Sequence, residues 1–369
     1  MSGPAVNLLG LPRRELEQFF VGIGEKPFRA RQLMKWIYGH GMLDPQRMTD
    51  ISAPLRQDLA ARAPLELPAI SAVQESADGT VKWRLDAGAG QAIETVFIPE
   101  PGRGTLCVSS QVGCAMNCSF CATGHQGFNR NLGAAEIMAQ VVLARRELGD
   151  PAGRSPITNV VFMGMGEPLA NFRAVVQACS LLVDDLACKL SRRRVTVSTS
   201  GLVPQIRRLA QEARVALAVS LHASDDELRN ELVPINRQHP IAELLDACWD
   251  YVGATNTHEI TFEYVMLAGV NDSPAQARRL AALLRHRPAK VNLIPFNPFP
   301  QARYRRSAPG VVDEFRSILS AAGIVTVTRR TRGDDIAAAC GQLAGQVDNR
   351  VRVPLGSRDS RFQEATWPS

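Results

Sequence analysis

The chain reads as an α/β protein, a partial (β/α)6-type barrel preceded by a small helical domain. Two observations predict this. After residue 110, short apolar β-branched runs alternate with segments of helical periodicity, the pattern of a parallel sheet flanked by helices. Before residue 76, apolar residues recur at three- and four-residue spacing, as on the faces of short helices. About six strand–helix units favour a full or partial barrel over an open sheet, with ligand-binding residues at the C-terminal strand ends. With 369 residues, 45% hydrophobic and 21% charged, the chain suits one large domain with a smaller one attached.

Residues 1–75 form the helical domain, through "LPRRELEQFFVGI", "FRARQLMKWIYGHG" and "PLRQDLAARAP". The second helix sets Lys26, Arg29, Arg31 and Lys35 beside Trp36 and Tyr38. This reads either as a solvated helix with an aromatic core face or as a nucleic-acid-binding module. Residues 76–110 form a strand-rich connection, from "GTVKWRLDAG", "QAIETVFIPE" and "GTLCVSS". Residues 111–345 carry the barrel. Its strands are "ITNVVFMGMG", "RRVTVSTSG", "VALAVSLHA", "EITFEYVMLAG", "KVNLIPFNPF" and "GIVTVTRR". Helical stretches such as "NFRAVVQACSLLVDD" and "SPAQARRLAALLRHR" lie between them. Residues 346–369 are a polar tail.

Bulk properties bound the function. The net charge of +6 suits a polyanionic partner without requiring one. No apolar run of eighteen residues exists, so no membrane span or membrane partner is expected. The N-terminus lacks a basic-then-apolar leader, so a cytoplasmic location with reduced thiols is expected. Cysteines crowded together there point to metal binding or catalysis rather than to a disulfide scaffold.

Four of the eight cysteines fall in "CVSSQVGCAMNCSFCATG". Cys114, Cys118 and Cys121 have C-x3-C-x2-C spacing. Three thiolates without a fourth leave a coordination position open, which suits an iron–sulfur cluster. Structural zinc stays possible if Cys107 is a fourth ligand. Further polar groups fall at predicted strand ends: Gly166 and Glu167 in "GMGEP", Ser198 in "VSTSG", Ser220, Leu221 and His222 in "VSLHA", and Asn297 in "PFNPF". Each singly is an ordinary turn residue or cap. Together they gather where a barrel places its ligand site.

The cysteine spacing, Phe120 before the third cysteine, and the strand units that follow resemble radical S-adenosylmethionine (SAM) enzymes. That resemblance implies a radical SAM barrel and a [4Fe–4S] cluster on Cys114, Cys118 and Cys121. The open iron then chelates SAM, and an electron cleaves it to a 5′-deoxyadenosyl radical. Gly166, Glu167, Ser198, Ser220, Leu221, His222 and Asn297 would bind SAM. The stretches "GEKPFRARQLMKWIY", "ETVFIPE", "TLCVSSQVGCAMNCSFCATGHQGFNRNL", "NVVFMGMGEPLAN", "LVPINR", "NLIPFNPF" and "RGDDIAAACGQL" are similar to the RlmN family of adenine-C2 RNA methyltransferases. The similarity runs over nearly the whole chain.

It implies two SAM per turnover. One methylates Cys340, the other supplies the radical that takes hydrogen from that methyl. The methylene adds to adenine C2, and Glu94 is the base for the C2 proton. Cys107 then resolves the protein–RNA thioether by a disulfide with Cys340, so these two thiols must meet. The implied partners are 23S ribosomal RNA, tRNA and a flavodoxin-type electron donor, with the chain a monomer. Arg192–Arg194, Arg303–Arg306 and Arg329–Arg332 are candidates for phosphate contact, or simply solubilising charge. Cys179, Cys188 and Cys248 read as small core residues on helices. Two rivals remain at this stage: the related Cfr-type C8 methyltransferase, which shares the cysteine pattern, and a zinc-stabilised RNA-binding protein without catalysis.

Overall fold

The computed structural model of the chain describes residues 7–63, 65–149, 155–255 and 257–350. Three helices open it: α1 (Arg13–Gly22), α2 (Arg29–Met34), which runs on as a π-helical turn to Gly39, and α3 (Ala53–Arg62). Their apolar stripes, Leu16 and Phe20, Leu33 and Met34, Leu55 and Leu59, share one core. Tyr38 belongs to that core, its hydroxyl donating to the Leu9 carbonyl. Lys26, Arg31 and Lys35 are exposed. Arg29 is engaged by Glu25 in the segment before α2 and by Gln32 on α2.

A four-strand antiparallel meander follows: β1 (Ile70–Glu75), β2 (Val81–Asp86), β3 (Ala92–Glu100) and β4 (Arg103–Cys107). The small ribbon of β5 (Gln111–Gly113) and β6 (Phe128–Asn131) brackets the cysteine loop and α4 (Ala122–Gln126). After α5 (Ala134–Leu148) come β7 (Asn159–Phe162), α6 (Phe172–Val183), β8 (Val195–Thr199), α7 (Val203–Glu212) and β9 (Ala216–Ser220). Helices α8 (Asp226–Leu232) and α9 (Ile241–Thr255) precede β10 (Ile260–Met266). The chain continues through α10 (Pro274–Leu284), β11 (Ala289–Pro295), α11 (Pro309–Ala321) and β12 (Val325–Thr328).

Ten strands make one sheet in the order β1-β2-β3-β4-β7-β8-β9-β10-β11-β12, parallel from β4 onward. Among the described residues no pairing joins β12 back to the other edge, so the barrel stays open. The helical domain docks on the barrel's outer layer. An added Cβ on Gly10 would lie 2.2 Å from the Ala135 nitrogen, so only glycine permits that approach to α5.

The structure differs from the sequence reading at several points. Residues 70–75, read with the helical domain, are β1 on the sheet edge. The first parallel strand is β4, inside the segment read as a connection. Cys188 sits in a turn after α6, not on a helix, whereas Cys179 and Cys248 are buried on α6 and α9. Gln346, read as tail, forms a β-bridge with Ala92, and the Arg350 amide donates to the Phe128 carbonyl. The rest of that tail, 351–369, lies outside the described residues. No helix among the described residues is long and apolar enough to cross a membrane.

Candidate active site

The cysteine loop is shaped by its backbone. The Cys114 amide donates to the Gly127 carbonyl at 2.7 Å, closing the loop against the β5–β6 ribbon. Asn117 takes a left-handed φ of 54°, and the Cys121 amide donates to the Cys118 carbonyl. Cys114, Cys118 and Cys121 thereby face one cavity of about 160 Å³. Burial pushes all three thiols up. Cys107 lines a different, larger cavity of about 470 Å³, so it does not complete a four-thiol set with them. Among the described residues no three Cys, His, Asp or Glu side chains converge closely enough for a single metal ion. A three-thiol donor set that spreads around a cavity and leaves one coordination position free fits a [4Fe–4S] cluster better than structural zinc.

The strand ends supply the rest of the smaller cavity. Gly166 has φ 101°, and an added Cβ would lie 2.5 Å from Gln111 Cβ. This turn brings Glu167 to the cavity wall. One carboxylate oxygen caps the Leu169 amide at 3.0 Å, and the other accepts from the Ser200 amide and hydroxyl, both at 2.7 Å. Burial raises the Glu167 carboxyl, against those hydrogen bonds. Glu167 is therefore both the turn's cap and a cavity wall. Ser198, Ser220 and His222 line the same cavity. His222 sits at φ 60°, and its Nδ1 accepts from the Val265 amide at 3.0 Å. That bond leaves the proton on Nε2, and burial pulls the imidazole down to about 3, so it is neutral. Phe120 packs edge-on against it, with ring centroids 4.5 Å apart.

Two expected SAM-site residues face elsewhere. The Leu221 side chain is in the core and lines neither cavity, because the chain turns after β9. Asn297 lines the larger cavity, donating to the Cys340 carbonyl at 3.3 Å and accepting from Arg306.

Two further cysteines far apart in sequence, Cys107 and Cys340, line the same larger cavity. Cys107 ends β4, and burial pushes it up to about 12 while Arg329 opposes that shift. Cys340 is exposed on the loop beyond β12 and lines both cavities. Both thiols are free in this structure. The Arg329 guanidinium is held above its usual range by Cys340 first, with Glu263 and Cys107 adding to it.

Glu94 lines neither cavity. Its carboxylate pairs with Lys82 at 3.4 Å and accepts from the Ala344 amide at 3.0 Å. Of the arginine clusters, Arg192–Arg194 precede β8 and so lie at the opposite end of the strands from the cysteines. Arg329, Arg330 and Arg332 line the larger cavity.

Sequence reasoning missed three residues here. Ser200 holds Glu167, and its two-residue offset from Ser198 was the available signal. Glu263 is buried on β10, bonded by Asn292 at 2.9 Å, with Arg329 at 3.8 Å. A lone acid inside the apolar run "ITFEYVM" was its signal. Arg229 on α8 is fully buried and donates to the carbonyls of Ser200, Ser220 and Leu221 and to Asn236. Burial pulls it down to about 10. Nothing local in "DELRNEL" marks it.

Comparison with known proteins agrees with this geometry. Residues 6–65 match the model of the ribosomal RNA large subunit methyltransferase N-terminal domain, and residues 108–281 match the radical SAM superfamily. The crystal structure of a radical SAM methyltransferase from Sphaerobacter thermophilus is 48% identical, with a TM-score of 0.86. The match covers 92% of this chain and 99% of that one. The chain belongs to the RlmN family of radical SAM methyltransferases.

More distant matches include Streptococcus suis SuiB, 12% identical over 61% of this chain and 49% of that one, TM-score 0.45. The hydrogenase maturase HydG from Carboxydothermus hydrogenoformans is 16% identical over 61% and 53%, TM-score 0.44. These add nothing to the assignment. The RlmN family implies a [4Fe–4S] cluster and SAM, and the three-thiol cavity with its Gly166–Glu167 turn fits both.

Proposed function

We propose that this chain methylates C2 of adenosine in 23S ribosomal RNA and tRNA, with Cys340 as the methyl carrier and Cys107 as the resolving thiol. The observation that supports this most is the position of Cys340. It stands at the junction of the three-thiol cavity and the larger one that Cys107 lines. A residue with that placement can take a methyl group on one side and deliver it on the other. A cluster held by Cys114, Cys118 and Cys121 would supply the electron for reductive cleavage of SAM.

The chain's own residues do the remaining work. Glu167, Ser198, Ser220 and His222 orient SAM from the strand ends, His222 as a neutral donor through Nε2. Cys340 presents its methyl, and later its methylene, toward the larger cavity, where an unstacked adenine would lie. Glu94 takes the C2 proton. Once the adduct has given up its unpaired electron, which a bound cluster would accept, the Cys107 thiolate attacks the Cys340 sulfur. The S–CH2 bond breaks, and the methylene takes a proton to become the methyl on C2, which leaves the two sulfurs as a disulfide. The basic residues on the Cys340 side, Arg330 and Arg332, suit the phosphates that accompany a flipped base.

The test is direct. The cluster is reconstituted without oxygen, then SAM, reductant and unmodified ribosomal RNA are added. The digested RNA is examined by mass spectrometry against standards. 2-Methyladenosine is expected. 8-Methyladenosine would move the specificity to the Cfr type, and neither product from a loaded enzyme would overturn the reading for these RNAs. The same assay on tRNA decides the second substrate.

A further inference from the structure

We infer that Lys82 is a positioning residue: its ion pair with Glu94 clasps both ends of the Cys340 loop, so Glu94 comes free only when that loop lets go. The inference deepens the function proposed above and rests on it for the roles of Glu94 and Cys340.

The geometry begins with strand register. Arg84 of β2 pairs with Glu94 of β3, which makes Lys82 and Glu94 diagonal neighbours on one sheet face. Both are 6% exposed. Lys82 Nζ lies 3.4 Å from one Glu94 oxygen and donates to the Ala337 carbonyl at 3.2 Å. The other Glu94 oxygen accepts from the Ala344 amide at 3.0 Å. Ala337 and Ala344 bracket Cys340, so one ion pair grips the loop where it leaves and where it returns. Ala337 takes a φ of 49°, a left-handed conformation that needs support from its surroundings in a residue other than glycine.

The clasp explains why a lysine is buried here at all. An ammonium in that position is costly unless paired and hydrogen-bonded. It also explains why the expected base faces neither cavity. For the C2 proton to reach Glu94, the Ala344 amide must first leave it. Once Glu94 carries that proton, it no longer attracts Lys82 and is a poorer acceptor for the Ala344 amide, so the released end does not re-form its contact. The proton passes from C2 to the carboxylate, and no oxidant or reductant enters this step. Proton removal and release of the loop bearing the RNA adduct are thereby coupled.

Hydrogen exchange on the cluster-loaded, full-length chain tests this. Peptides covering 337–345 are compared among wild type, Lys82→Met and Glu94→Gln, with peptides from β8 and β9 as the reference. Loop exchange should accelerate at least tenfold in both variants while β8 and β9 keep wild-type protection. In turnover, Lys82→Met should lower kcat with the KM for RNA within twofold. Loop exchange within twofold of wild type in both variants overturns the clasp, as does a KM effect without a kcat effect. If Lys82→Met loses protection everywhere, the Glu94→Gln exchange decides alone. Exchange needs no RNA product, so loosened loops together with no methylated adenosine from wild type would refute the proposed function and leave the clasp standing.

Discussion

Replacing Arg229 with Met should disturb the SAM side of the cavity from a residue that touches no ligand. Arg229 ties the ends of β8 and β9 together by donating to the Ser200, Ser220 and Leu221 carbonyls and to Asn236 Oδ1. Leu221 O keeps a second donor, the Ala223 amide. Among the described residues, Ser200 O and Asn236 Oδ1 have no other partner outside regular ladders. Leaving two buried acceptors orphaned costs about 1–3 kcal/mol each. Relief of the buried guanidinium's desolvation offsets part of that sum. A net loss of about 2–4 kcal/mol remains on these two principles. Scaled by about 2.1 cal/mol/K per residue over the chain, this lowers Tm by roughly 3–5 °C. Arg229→Lys should fall nearly as far, because one ammonium cannot fork to four acceptors. The assay is a thermal melt followed by circular dichroism, with SAM affinity measured beside it. Ser200 bridges Arg229 to Glu167, so SAM binding should weaken in both variants. A Tm shift under about 1 °C with unchanged SAM affinity would refute the reasoning.

Three further outcomes are expected. Cys340→Ala should abolish RNA methylation while iron content and the cluster's absorbance stay at wild-type levels, and cluster loss in that variant would count against its role as methyl carrier. Cys107→Ala should accumulate RNA attached through Cys340, seen as a protease-sensitive shift on a denaturing gel, whereas full turnover would remove its role as resolving thiol. His222, depressed by burial from its ordinary 6.5 to about 3, is neutral in the fold. The unfolded chain binds that proton first, so stability is complete above pH 6.5 and declines toward pH 3, at up to about 1.4 kcal/mol per unit. Acid unfolding of His222→Gln should therefore show a shallower slope across that window, and an unchanged slope would show that other groups carry it.

Much of this protein is local and was legible in the chain. The six strands after the cysteine loop, the three-cysteine spacing and the "GMGEP" turn each depend on neighbouring residues, through side-chain alternation, ligand spacing and a glycine's positive φ. Resemblance to a family then supplied roles for Cys107, Cys340 and Glu94. Distance in sequence hid the rest. Only folding shows Cys107 apart from the three-thiol cavity, which separates a cluster site from a fourth zinc ligand. Only folding places Cys340 at the meeting of two cavities and turns Leu221 into the core. Nothing in the neighbouring sequence marks Arg229 or Lys82 as buried. Both are buried because carbonyls and a carboxylate from remote segments converge on them. A charge leaves water only where such partners are already arranged, and that arrangement is a property of the tertiary structure rather than of any stretch of sequence.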